Sequence, residues 1–505
     1  MTAISEHTGS KGFILFIIII LTLLGLTSEA LSFDLEKSVR KFTLNNGLKV
    51  LMVERHSSPT VSFYIRHKVG AVEEKGGRTG TAHILEHMMF KGTKTIGTRN
   101  FKEERKMLDD IASMGNALDM ERVKGETADK KKIEELDRQL KILQKKAKKY
   151  ILENEIGRLY IENGGVKLNA STGRDLTTYQ VSLPSNKIEL WARIEADRMT
   201  NPVFREFYSE RSVVTEERRQ VIESIPGRLL MEQFLASAFT AHPYRRPVIG
   251  WASDMRFLNI DYTKNFFKTY YAPNNTVIAV VGDISPAKTI DIIKRYFGEI
   301  PRQEPSLLHI TEEPPQKGEK RIEVIYDASP QIIIGYHKPA LPSFDDYVFD
   351  VIDSILSSGR TSRFFKALVE EKGVAERVNT INGIPGARFP NLFTILAAPR
   401  YPHTNSELED AIYSEIEKLK REPVTEREIQ KTKNRLKADI LRSLDSNAGL
   451  AGMLSYYEAI AGDFRYVTRH IEVIDKVTPE DIMRAAKKYL NKENRTVAIL
   501  KRNEQ

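Results

Sequence analysis

The spacing of apolar positions changes several times along the chain, and each change marks a new element. From Lys41 to Gly70 apolar and polar residues alternate, with Asn45-Asn46-Gly47 between two β-type runs; this predicts a hairpin followed by a further strand. Gly76, Gly77 and Gly80 break the chain, and the next segment, TAHILEHMMF (81–90), has helical spacing. Residues 103–160 are strongly charged and poor in glycine. Within them Ile133, Leu136, Leu140, Leu143, Ala147 and Tyr150 step by three and four, the seam of a helical hairpin or coiled coil. Strand-like spacing returns over 166–183, followed by helices predicted over 187–199 and 205–224.

A Pro- and charge-rich stretch, 300–320, reads as a linker. The text before it and the text at the C-terminus are alike. Residues 259–281 and 478–500 both run from a helix with Tyr near its end, through an Asn-rich turn, into a β-rich strand. A duplicated unit of about 200 residues, fused head to tail, fits this pattern.

Composition narrows the possibilities. The 505 residues are too many for one ordinary domain, and 41% hydrophobic with 9% aromatic content supports real cores. The net charge is +9, but the stretch Asp129–Lys149 carries nine Lys/Arg against four Asp/Glu and supplies more than half of that excess. A local charged run of this kind reads as a solvated helix face, and no nucleic-acid-binding motif accompanies it. The chain has no cysteine, which excludes disulfides, thiolate metal sites, a cysteine nucleophile and a lipoprotein anchor. Any metal must be held by histidines and carboxylates. Lys11, the apolar run Gly12–Leu26 and the small residues Ser28 and Ala30 read as an export signal over residues 1–30; an uncleaved N-terminal anchor through residues 12–26 is the competing reading. The expected location is outside the cytoplasm, in the periplasm, with at most one membrane tether.

The segment 81–90 carries the candidate chemistry. On a helix His83 and His87 share one face a turn apart, and Glu86 borders the same space. Two imidazole nitrogens can hold one zinc ion, and a neighbouring carboxylate can take a proton from water as it attacks a carbonyl. Two structural histidines on an amphipathic helix would give the same text. A third ligand is needed, and Glu210, Glu216 and Glu217 in YSERSVVTEERRQ (208–220) supply carboxylates. Glu210 and Glu217, seven apart, share a face; Glu216 points away from it.

Together, His83-Ile84-Leu85-Glu86-His87 and the downstream Glu210-Arg211-Ser212-Val213-Val214-Thr215-Glu216-Glu217 resemble the pitrilysin/insulinase metallopeptidase family. NASTGRDLTTY (169–179), HPYRRPVIG (242–250) and YYAPNNTVIAVVGD (270–283) are similar to the family as well, and the resemblance runs from about residue 40 to the C-terminus. It implies an α+β fold of two homologous α/β-sandwich domains, each with a mixed, mainly antiparallel sheet and helices on one face. The expected boundaries are a zinc-binding domain over 34–302 with a helical insertion at about 104–160, a linker over 303–320, and a second domain without metal over 321–505. The resemblance also implies one zinc ion per chain on His83, His87 and Glu217, Glu86 as catalytic base, Glu210 supporting the ligands, and a substrate strand along Asn169 and Ala170. The implied activity is an endopeptidase acting on peptides or unfolded segments.

Two departures stand out. The family usually places its ligand Glu about 75 residues after the second His, whereas 129 residues lie between His87 and Glu217; the excess corresponds to the charged heptad segment. The family also uses an Arg and a Tyr from the C-terminal half to polarise the scissile carbonyl. Aligned on Leu368, those positions hold Val369 and Glu376. Neither can donate to an oxyanion at neutral pH, and loss of one such donor typically costs about 100- to 1000-fold in rate. The expectation is therefore that a related subunit carrying the pair supplies it, and the expected assembly is a hetero- or homodimer with a related subunit. The alternative is a non-catalytic peptide-binding or assembly subunit.

Overall fold

The computed structural model describes residues 35–304 and 309–502; the predicted export signal lies outside them. Contacts divide the chain into a short unit ending at Arg40 and one compact unit from Lys41 to Gln505. Among the described residues of the first is a helical turn, Leu35–Ser38. No helix among the described residues is long and apolar enough to cross a membrane.

Two sheets organise the larger unit. The first contains β1 (Arg40–Thr43), β2 (Lys49–Glu54), β3 (Thr60–His67), β4 (Val166–Thr172), β5 (Thr177–Pro184) and β6 (Thr276–Gly282), in the order β1-β2-β6-β3-β5-β4. The second contains β7 (Lys320–Ile325), β8 (Gln331–Lys338), β9 (Ala375–Ile384), β10 (Asn391–Pro399) and β11 (Arg495–Lys501), in the order β7-β11-β8-β10-β9. The repeat seen in the text reappears as topology. The strand that closes each half inserts beside an early one, β6 parallel to β2 and β11 parallel to β7, and every other pairing resolved from β2 onward is antiparallel. β6 is buried at all seven positions, which is why its text is a continuous apolar run. β4, at the sheet edge, is mostly exposed.

Each sheet packs its own helices on one face, as expected, and takes a helix from the opposite half on the other. Phe63 of β3 stacks on Trp191 of the 188–200 helix with 4.3 Å between ring centroids. The next residues on the reverse face, Tyr64 and Arg66, meet Gly452 and Ser455 of the helix Asn447–Ile460; Arg66 Nε donates to Ser455 Oγ at 2.9 Å. Reciprocally, the helix Pro226–Ala238 covers the second sheet. Its Leu230, Phe234, Leu235 and Ala238 share one core with Ile333, Leu392, Ala498 and Leu500. Phe234 lies so close to Gly335 that an added Cβ would sit 2.4 Å from its ring, so only glycine fits there.

The charged segment forms a hairpin of helices Phe101–Arg122 and Lys130–Ala147. The heptad seam turns inward: Leu140 and Ala147 are buried in the first core, with Ile133, Leu136 and Leu143 packed against it. The helix predicted over 205–224 is α-helical from Phe207 to Arg218 and continues with wider, π-type hydrogen bonding from Arg219 to Glu223. The described part of the linker has no regular structure and is fastened by Glu313, which accepts the backbone N–H groups of Thr240, Ala241 and His242.

Candidate metal centre

The helix Thr81–Met88 divides its residues by period. Thr81, Ala82, Ile84, Leu85 and Met88 are buried, which turns His83, Glu86 and His87 to the opposite side, into a cleft. The buried carboxylate of Glu74 holds its first turn, accepting the N–H of Gly80 at 2.9 Å and of Ala82 at 2.7 Å. A helix N-terminus leaves such donors unpaired, and the Glu74 oxygens satisfy two of them although burial pushes its carboxyl up to about 8.

The second contributing element is the helix Phe207–Arg218. Its buried side, Phe207, Tyr208, Arg211, Val214 and Arg218, packs inward and leaves Glu210 and Glu217 facing the histidines. Arg218 is fixed by two 2.8 Å bonds to Glu232 and one to the Gly250 carbonyl. The 101–122 helix supports the other end. Arg211 forms a bidentate pair with Asp119 at 2.6 and 2.9 Å, and Arg205 a wholly buried one with Glu104 at 2.6 and 3.1 Å.

These supports bring three of the predicted residues together. The Nε2 atoms of His83 and His87 lie 3.8 and 3.6 Å from the carboxylate oxygens of Glu217. One ligand atom from each of the three fits within a 4.8 Å cluster. Two imidazole nitrogens and a carboxylate are the donor set of a catalytic zinc site, which leaves a fourth position open. His83 is held well below its ordinary pKa, at about 4, by burial and then by the neighbouring His87, so at neutral pH it is the uncharged ligand form. His87 is pulled down by burial, but its Nδ1 lies 2.9 Å from Glu210 and the surrounding carboxylates raise it on balance. Glu210 is resisted by burial yet held down to about 2 by His87 and Lys91, whose Nζ stands 2.7 Å from it. A carboxylate on the distal nitrogen fixes which nitrogen faces the metal.

Glu86 borders the same space, and its Oε2 accepts the hydroxyl of Thr172 at 2.5 Å. Burial raises its pKa against that bond. Thr172 ends β4, the edge strand on which Asn169 is exposed and Ala170 half-buried. Ala170, Glu86 and His87 line two adjoining cavities, one of about 540 Å³ beside His83 and Glu217, the other of about 720 Å³ beside Asn169, Lys91 and Glu210. Glu216 points outward and pairs with Arg219. In the second half Val369 packs on its own core and Glu376 is exposed on β9; neither lines these cavities.

Sequence reasoning missed Glu74, Thr172, Lys91, Asp119 and Arg218. A carboxylate shortly before a helix N-terminus was a signal for Glu74; the others meet their partners only through the tertiary fold.

Comparison with known proteins gives a consistent picture. Residues 49–119 and 141–251 match the family model described as insulinase (peptidase family M16), and residues 258–436 match the one described as peptidase M16 inactive domain. The interruption, 120–140, falls within the helical hairpin. The chain is 26% identical to the zinc protease PqqE of Helicobacter pylori over 91% of this chain and 92% of that protein. It is 22% identical to a probable mitochondrial-processing peptidase subunit beta of Arabidopsis thaliana over 89% of this chain and 76% of that one. Among solved structures, a protease from Helicobacter pylori superposes with a TM-score of 0.77 and 25% identity, covering 92% of this chain and 99% of that one. The periplasmic protease PqqL of Escherichia coli superposes with a TM-score of 0.69 and 15% identity, covering 92% of this chain and 48% of PqqL.

Proposed function

Because this chain belongs to the M16 (insulinase) metallopeptidase family, we propose that it is a zinc-dependent endopeptidase hydrolysing peptides or unfolded segments. The observation that carries the reading is the convergence of His83, His87 and Glu217 on one small volume, with Glu86 on the same helix face. These three residues would hold one zinc ion per chain, which when bound supplies a Lewis acid that polarises a carbonyl and acidifies water. Glu86 takes the proton of the attacking water and later delivers it to the leaving amine, while the Thr172 hydroxyl keeps its carboxylate aimed. Glu210 keeps the His87 ring in its ligating orientation. A substrate strand adds to the free edge of β4 at Asn169 and Ala170, where backbone hydrogen bonds give affinity with little demand on sequence.

With Val369 and Glu376 in place of the Arg/Tyr pair, oxyanion stabilisation comes from a related subunit that carries the pair, in a heterodimer, since a second copy of this chain lacks it too. That the Arabidopsis relative is itself named as a subunit fits this. The same absence favours a second reading, a non-catalytic peptide-binding or assembly subunit. The proposed organisation is an exported chain, in the periplasm or tethered by residues 12–26, with the metal in a domain over 34–302 and a second domain over 321–505.

The test is zinc content and peptide hydrolysis of the purified chain, wild type beside Glu86→Gln. Zinc in both with hydrolysis only in wild type is the expected outcome for a self-sufficient enzyme. Zinc in both with hydrolysis in neither, restored to wild type alone by the related subunit, is expected if the Arg/Tyr pair comes from outside. Hydrolysis restored to neither leaves the non-catalytic subunit. No zinc in either removes the proposal.

A further inference from the structure

The cleft beside His83 and Glu217 has an unbalanced charge. Arg174, Arg228 and Arg245 all line it, and none forms an ion pair among the described residues. Arg174 donates Nε to the Tyr244 carbonyl at 3.2 Å and Arg245 donates to the Thr240 carbonyl at 2.7 Å. These contacts orient the two guanidiniums without neutralising them. The carboxylates nearby are already engaged. Glu217 faces the two histidines, Glu86 accepts Thr172, Glu232 is committed to Arg218, and Asp175 accepts the Tyr244 hydroxyl and the N–H groups of Ala387 and Arg388. Burial lowers Arg174 to about 10, the response of a guanidinium with too little compensating negative charge.

The remaining walls, Met231, Leu235, Val248 and Ile249 among them, are apolar, which strengthens any charge pairing made against them. The adjoining cavity across β4 is different. There Lys91 is matched by Glu206 and Glu210, and Glu153 adds negative charge.

We propose that Arg174, Arg228 and Arg245 form a carboxylate-binding subsite, selecting peptides that place an acidic side chain or a free C-terminus on this side of the scissile bond. The proposal rests on the peptidase reading and names the substrate class of that same cleft. Guanidiniums suit the task because their planar fork grips a carboxylate through two hydrogen bonds.

The experiment measures binding, by fluorescence anisotropy, of N-terminally labelled peptides to the zinc-loaded full chain carrying Glu86→Gln. Three peptides share one sequence: a central Glu with an amidated C-terminus, a central Gln with an amidated C-terminus, and a central Gln with a free C-terminus. The expected result is binding tighter by about tenfold, the order of a charge-assisted contact, for the first peptide if the subsite takes a side chain and for the third if it takes a terminus. Adding Arg228→Ala and Arg245→Ala removes the preference, read as the ratio of the affinities for the charged peptide and the Gln amide; the Lys pair at the same positions keeps most of it. Equal binding of all three peptides, or a preference that survives the Ala pair, overturns the subsite and leaves the peptidase reading standing. Binding of none of them sinks both.

Discussion

At the scale of single residues, the centre depends on polar partners far away in sequence: Glu86 on Thr172, His87 on Glu210, and the 81–88 helix on Glu74. His83, Glu86 and His87 were legible because their chemistry is local, three positions within two helical turns; spacing put Glu210 and Glu217 on one helix face, and only the family resemblance singled out Glu217 as the ligand. Thr172 and Glu74 were not, because a hydroxyl on a strand or an acid in a loop acquires its role only when folding brings its partner close. A buried acid elsewhere yields a prediction of its own. Asp350 is raised from 3.8 to about 7, first by burial and then by the charge of Asp346. The folded chain therefore keeps a proton that the unfolded chain releases, and stability falls as pH rises from about 4 to about 7. Asp350→Asn removes that cost while retaining an acceptor for Asn382. The variant should exceed wild type by ~1–3 kcal/mol near pH 8, with the gain vanishing toward pH 4, in urea denaturation followed across that range.

At the scale of elements, the helical hairpin acts as a buttress. Its apolar seam was plain in the heptad spacing, but what it supports was not, since nothing local distinguishes Glu104 and Asp119, which are buried against Arg205 and Arg211, from the other acids of a charged helix. Gly115 marks the same contact: a Cβ there would fall 1.9 Å from the Tyr208 ring, so the hairpin presses directly on the helix that carries Glu210 and Glu217. Asp119→Ala strands a buried guanidinium and should cost ~3–5 kcal/mol and weaken zinc binding, measured by urea denaturation and competitive metal titration. Replacing the pair together, Asp119→Leu with Arg211→Met, should recover most of the stability, because the penalty comes from the unpaired charge rather than from the loss of attraction.

At the scale of the whole molecule, the duplication legible in residues 259–281 and 478–500 became two sheets of matching topology. The exchange of the 226–238 and 447–460 helices between them was hidden, because an amphipathic helix does not state which sheet it will cover. Exchange makes the two cores interdependent. Gly335→Ala, which meets Phe234 of the opposite half, should cost about 1–3 kcal/mol and lower the midpoint of a single cooperative unfolding transition rather than split it. Calorimetry of the purified chain reads both quantities.

The linker has a different consequence. Residues 301–304 and 309–319 are irregular and largely exposed, an inviting place for a protease to cut. Since each half lends a helix to the other, continuity of the backbone there contributes little once the chain has folded. A single nick should leave two fragments that elute together under native conditions and retain their metal. The difference should emerge only after denaturation: intact chain refolds at a rate independent of its concentration, whereas the fragments must find one another, and their recovery should rise with concentration.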